Sequence, residues 1–267
     1  MARFVHHQRA ADGGRVALLE VDPELAGGLP DDEQARAERA LVVQSLVVQP
    51  GPWEGWPAAA FALLVGEGLV VRETAVGGRL LPQVLGSGDV LESWPDPEGV
   101  LGAEVSTTVA EQATLLVLDG RFLAGAARWP SLMVEVQRRL ATQAHRLAVQ
   151  GAICQLARVE LRVLALLWHL AERWGRVSRE GVVLPVKLTH ETLGRFVGAR
   201  RPSVTLAMGQ LADEGLVMRR DDGAWVLPPR SQEVLASWLG VPQEGRVDWS
   251  FALRLRRDPP DHARTRS

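Results

Sequence analysis

The chain has 267 residues, 46% hydrophobic and 23% charged, with a formal net charge of −2. That length exceeds one ordinary core and suits two domains, and no apolar run approaches the roughly 20 residues that span a bilayer. One cysteine, Cys154, excludes a disulfide framework and a self-ligated iron–sulfur cluster, which needs about four thiolates. With no leader-like N-terminus, a soluble protein of the reducing cytoplasm is expected.

Residues 14–119 read as short strands punctuated by turns: RVALLEV, LVVQSLVVQP, FALLVGEGLVVRETAV, RLLPQVLG and ATLLVLD. β-Branched runs broken at short intervals by glycine and proline predict an antiparallel sandwich or barrel, here a small β-roll. DDEQARAERA, over 31–40 behind Pro30, favours a short helix instead.

After Asp119 the texture turns helical. Leu132, Val136, Leu140, Ala144 and Leu147 advance by three or four residues along one stripe, with Ser131 as an N-cap after Pro130. That stripe can pack on its own β-domain or pair with its twin across a two-fold axis. A second helix, VELRVLALLWHLAERW over 159–174, is apolar on most sides and belongs to a core.

The segment 182–227 carries the strongest signal. Thr189 can cap a short helix to about Val197, burying Leu193 and Phe196 or Val197, and Gly198 supplies a left-handed turn. Pro202 suits the first turn of a second helix, with Val204, Ala207, Met208 and Leu211 inward and Arg200, Arg201, Ser203 and Thr205 outward. Two helices joined by a tight turn, the second with a basic N-terminal end, form the arrangement that lays a recognition helix in the DNA major groove. Downstream, LVMRR-DDG-AWVL has the two arms and turn of a hairpin, the wing. Five arginines (Arg195, Arg200, Arg201, Arg219, Arg220) stand against Asp213 and Glu214 between 195 and 220, so positive charge concentrates where the net charge hides it.

Over residues 14–228 this order of parts resembles the Crp/Fnr family of bacterial transcription regulators, most specifically in LTHETLGRFVGARRPSVTLAMGQLADEGLV. GEGLVVRETAVGGRLLPQVLGSGDVL is similar to the central strands of that family's cyclic-nucleotide-binding-type roll. The resemblance implies an α+β protein: an antiparallel β-roll of the double-stranded β-helix type (1–128), a dimerisation helix (129–151), a winged helix-turn-helix (152–230) and a C-terminal tail (231–267). It implies a homodimer on a palindromic operator, paired through Leu132, Val136, Leu140, Ala144 and Leu147, with RNA polymerase as a further partner. By the same resemblance Arg201 takes a base-reading position, flanked by Arg200 and Ser203, while Thr189 and Glu191 touch backbone. Arg219, on the wing, is expected to act alike on all sequences. Pro202 and Leu206 depart from the base-contacting glutamate and arginine of some members, so a different operator is expected.

The effector region departs further. Nucleotide-binding members carry an Arg-Ser-Ala triplet that holds the cyclic phosphate, and none occurs here. No arginine lies between Arg79 and Arg121, whereas Asp89, Glu92, Asp96, Glu98, Glu104 and Glu111 do, and these would repel a phosphate. Leu147 and Ala148, where the helix would meet a base, offer no hydrogen bond. Cyclic AMP is therefore not the expected effector; any small-molecule effector is unidentified.

Other chemistries find little support. His6, His7, His145, His169 and His190 show no metal spacing, though a haem sensor would have to draw its axial ligand from these or Cys154. A cupin-like metal enzyme lacks ligands, since residues 14–128 contain no histidine, and no hydrolase, redox or metalloprotease motif is present. No catalytic or metal site is expected. A protein-binding scaffold using the winged helix is the remaining alternative. Nine tryptophans without a tyrosine read as core and rim. In the tail, SQEVLASWL is a helical candidate, and Arg254, Arg256 and Arg257 are expected to add non-specific DNA attraction.

Overall fold

The computed structural model describes residues 11–93, 101–186 and 188–240. Arg254, Arg256 and Arg257, like His6, His7, Asp96 and Glu98, lie outside them. The elements run β1 (Ala11–Ala17), α1 (Leu18–Val21), α2 (Asp31–Ala40), β2 (Val42–Val48), β3 (Gly51–Pro52), β4 (Ala60–Val76), β5 (Arg79–Gly86), β6 (Val90–Glu92) and β7 (Glu104–Asp119). There follow α3 (Gly120–Ala126), α4 (Pro130–Cys154), α5 (Val159–Trp174), β8 (Arg176–Val177), β9 (Val182–Leu184), α6 (His190–Val197), α7 (Arg201–Asp213), β10 (Met218–Arg219), β11 (Trp225–Leu227) and α8 (Pro229–Leu239). The chain divides into two compact units, Met1–Val149 and Gln150–Ser267.

In the first unit the antiparallel sheet runs β1-β2-β7-β4-β5, with β3 joined to β7 and β6 to β4. Strands β4 and β7 carry it, and their alternation feeds two cores, because successive side chains leave opposite faces. Leu64, Leu116 and Leu118 join Leu18, Leu25, Phe122 and Leu132 on one face. Leu63, Val65, Leu115 and Val117 join Trp53, Val70, Leu85 and Val109 on the other. Register shifts between Val65 and Leu69 bend β4. Gly68 permits the bend: its φ is +86° and a Cβ there would lie 2.2 Å from the Gln112 carbonyl oxygen.

Two local expectations need correction. RVALLEV is a strand only to Ala17, because Leu18 and Leu19 turn into the helical core instead of alternating across a sheet. Strand β7 begins at Glu104, nine residues before ATLLVLD, its polar half held by pairing to β4 from Thr74–Val105 to Val70–Val109.

For part of its stripe, helix α4 takes the first of the two covers its sequence allows, the β-domain of its own chain. Leu132 and Val136 are buried in the roll's own core, with Leu140 packed against it, so these three are covered within their own chain. Ala144 is exposed and Leu147 half-buried, and neither joins that core. Periodicity revealed the stripe but not its cover. Polar contacts complete the fastening. Buried Arg139 pairs through both Nη atoms with Asp22 (Nη2 to Oδ1 3.0 Å), and donates from Nη1 to the Gly88 carbonyl at 3.2 Å and from Nε to Glu135 at 3.0 Å. Gln143 answers both backbone groups of Val90, accepting from its N–H at 2.8 Å and donating to its carbonyl at 2.9 Å, as a strand neighbour would.

In the second unit a four-stranded sheet, β10-β11-β9-β8, accompanies helices α5 to α8. Strands β8 and β9 are too short for sequence alternation to announce. The expected helix SQEVLASWL forms as part of α8 and packs on this unit: Trp168 Nε1 of α5 donates to Ser231 Oγ at 3.1 Å, and Arg158 lies 5.1 Å from the centroid of the Trp238 ring.

Candidate nucleic-acid interface

The helix-turn-helix follows from local chemistry. Thr189 caps α6, its hydroxyl accepting from the Thr192 N–H at 3.1 Å. Leu193, Phe196 and Val197 are all buried. Gly198 ends the helix in the left-handed region, φ +63°. The turn also depends on Gly194, which sequence reasoning passed over: its carbonyl accepts from the Ala199 N–H at 2.9 Å, and a Cβ there would stand 2.6 Å from the Ala199 carbonyl oxygen. Helix α7 then starts at Arg201 with Pro202 in its first turn, and buries Val204, Ala207, Met208 and Leu211.

Arg200, Arg201, Ser203 and Thr205 are exposed at the start of α7, with Thr189 and Glu191 exposed beside them on α6. The five arginines separate by environment. Arg195 is engaged by Glu191 at 3.1 Å and Arg220 by Asp222 at 3.3 Å. Arg200, Arg201 and Arg219 form no ion pair among the described residues, so the positive field concentrates on α7 and the wing. Arg219 lies 5.3 Å from the centroid of the Trp225 ring, and that buried indole donates to the Leu188 carbonyl at 3.2 Å. The wing pairs Met218 with Val226 and Arg219 with Trp225 around Asp221–Gly223.

Three features escaped the sequence. Thr205 is already engaged: it donates to the Arg201 carbonyl at 3.0 Å and lies 3.0 Å from His190 Nδ1. Leu206 is 65% exposed on α7, an apolar group where the sequence registered only a missing arginine. His190 stacks on Trp225, ring centroids 6.2 Å apart and planes at 22°. Helical periodicity places Leu206 on the outer face, whereas the histidine contact needs the fold.

The β-roll holds a cavity of about 840 Å³ lined by Trp53, Trp56, Arg72, Glu54, Glu92 and Glu104, among others. Trp53 and Trp56, read from sequence as packing alone, are tilted together here at 6.3 Å. An arginine does reach this space, Arg72 from β4, outside the arginine-free stretch between Arg79 and Arg121. Its Nη2 donates to Gln83 Oε1 at 2.8 Å, and burial holds its pKa below the ordinary value, opposed by Glu92. Cys154 donates its thiol to the Phe196 carbonyl at 3.1 Å, and burial pushes its pKa up, so it is a poor thiolate ligand. Among the described residues no helix is long and apolar enough to cross a membrane.

Fold and interface together define a winged-helix module that follows an antiparallel β-roll along the chain. Residues 161–228 match the family model of the Crp-like helix-turn-helix domain. The chain is similar to a CooA mutant from Carboxydothermus hydrogenoformans, at 15% identity and TM-score 0.60 over 84% of this chain and 95% of that one. It is similar to FixK2 from Bradyrhizobium japonicum, at 17% identity and TM-score 0.58 over 74% and 97%. A CRP/FNR-family transcriptional regulator from Thermus thermophilus aligns at 24% identity and TM-score 0.53 over 72% and 98%. No curated protein sequence matches. The chain carries the Crp/Fnr-type transcription-regulator fold, with a Crp-like helix-turn-helix at its C-terminal end.

Proposed function

We propose that this protein is a sequence-specific DNA-binding transcription regulator that works as a homodimer on a two-fold-symmetric operator. The observation that carries the reading is the N-terminal end of α7, where Arg200 and Arg201 stand exposed without an acidic partner among the described residues. With α7 in the major groove, Arg201 reads guanine through its two acceptor atoms and Ser203 a neighbouring base edge. Leu206 meets a thymine methyl, while Arg200, Arg219 and Thr189 hold backbone phosphates. Glu191 acts by orienting Arg195, which it pairs with at 3.1 Å. Thr205 braces the helix.

The β-roll cavity is the place for an effector, and cyclic AMP does not suit it: Glu54, Glu92 and Glu104 outnumber Arg72, which Gln83 already engages. RNA polymerase is the further partner such a regulator meets. No enzymatic role is proposed.

Selection of bound duplexes from a random pool tests the reading. The expected product is a palindrome whose half-sites lie about 34 Å apart, bound with an affinity that falls steeply as salt rises. Recovery of no enriched sequence, with binding indifferent to salt, would overturn it in favour of a protein-binding scaffold.

A further inference from the structure

One titratable side chain joins the three parts of the interface. His190 opens α6, yet its Nδ1 lies 3.0 Å from Thr205 Oγ1 on α7. That hydroxyl spends its own proton on the Arg201 carbonyl at 3.0 Å, so it accepts from the ring. His190 is therefore the Nδ1–H tautomer when neutral, and Nε2 is the atom left to take up a proton. The ring also stacks on Trp225 of the wing, over which Arg219 is placed.

The charges around it favour the neutral ring while the protein is free. Arg201 faces it from α7 and Arg219 from β10; together with burial, the larger cause, they push its pKa below the ordinary 6.5. The nearby carboxylates are already engaged, Glu191 by Arg195 on α6 and Asp222 by Arg220 at the wing turn. Arg201 and Arg219 are the cations assigned above to DNA. Docking a duplex pairs Arg219 with phosphate and brings the phosphate charges of the groove to the same surface as Arg201, replacing net repulsion of the imidazolium with attraction.

We propose that His190 takes up a proton at Nε2 when the winged helix docks on duplex DNA, so that DNA affinity rises as pH falls through the neutral range. The proposal rests on the DNA-binding reading above. Its sign follows from linkage: the complex binds one more proton per protomer than the free protein, so lower pH favours the complex. The window opens where the histidine of the complex titrates and closes where that of the free protein does.

Fluorescence anisotropy of the full chain with a labelled random-sequence duplex of about 30 base pairs, at constant ionic strength, tests it. Between about pH 8 and about pH 6 the wild-type affinity should rise roughly fivefold or more per protomer, and less than about twofold in His190→Asn and His190→Gln. Proton NMR of the wild type gives a readout that needs no variant: the His190 ring should titrate at higher pH with duplex than without. Parallel pH slopes in wild type and variants, a flat profile in wild type that binds, or an unmoved His190 midpoint would each overturn the linkage alone. Absence of wild-type binding at every pH and at low salt would overturn the DNA-binding reading and the linkage with it.

Discussion

Arg201 and Arg219 carry the same charge in different settings, and their substitutions should separate. Arg201 has no ion pair among the described residues at the start of α7, so Arg201→Ala should cost about 1–3 kcal/mol on the selected operator and much less on random duplex. Arg219, held against Trp225, points to a backbone role, and Arg219→Ala should weaken all duplexes alike and shallow the salt slope by about one unit. Titrations on both duplexes check the pair, and equal losses for both variants would refute the division of roles. Leu206→Ala should relax the preference for thymine at one position by about 1 kcal/mol, read by repeating the selection with the variant. At this scale the sequence named the exposed arginines correctly because a basic helix start needs no fold to be recognised. It could not separate free from engaged arginines, since Glu191–Arg195 and Arg220–Asp222 depend on where neighbouring side chains settle.

Helices α4 and α7 were both visible as stripes of apolar residues, and both form. What differs is the polar fastening of α4, where Arg139, Asp22, Glu135 and Gln143 come from segments more than 50 residues apart or from its own first turns. Arg139→Leu leaves Asp22 buried and unpaired, and should cost about 3–5 kcal/mol in denaturant unfolding of the intact chain. Asp22→Asn in the same background should recover part of that loss, because the orphaned charge is gone. Glu135 supplies a pH signature. Hydrogen bonds from Arg138 first, then Arg139, hold its carboxyl at about 2, against an ordinary value of 4.5. A depressed carboxylate stabilises the fold fully above its unfolded value and loses that contribution as pH falls through its folded one. Thermal melts between about pH 5 and about pH 2.5 should therefore fall more steeply for the wild type than for Glu135→Gln.

For the whole molecule, the division of α4 into a covered and an open side bears on assembly. Leu132 and Val136 belong to the core of the roll, so Leu132→Ala should destabilise by about 2–5 kcal/mol without weakening self-association of the folded protein. Val134, 64% exposed, and the exposed Ala141, Ala144 and Ala148 lie along the other side at helical spacing. Ala144→Glu should shift the protein towards monomer in sedimentation and weaken operator binding, since a closely packed two-fold interface tolerates no paired like charges. An unchanged sedimentation profile would remove Ala144 from the proposed dimer interface.

The order of roll, long helix and winged helix, and the caps and turns of the helix-turn-helix, are legible in the residues alone. These are local matters: periodicity, Thr189, Gly198 and Pro202 act within a few residues of themselves. The cover of Leu132 and Val136 by the roll, the reach of Arg72 into the cavity with Trp53 and Trp56, and the contacts of His190 with Thr205 and Trp225 emerge only from the folded chain. Each is a meeting of side chains from distant segments, and such meetings are set by how bent strands and packed helices bring faces together. The spacing of residues along the chain carries no record of them.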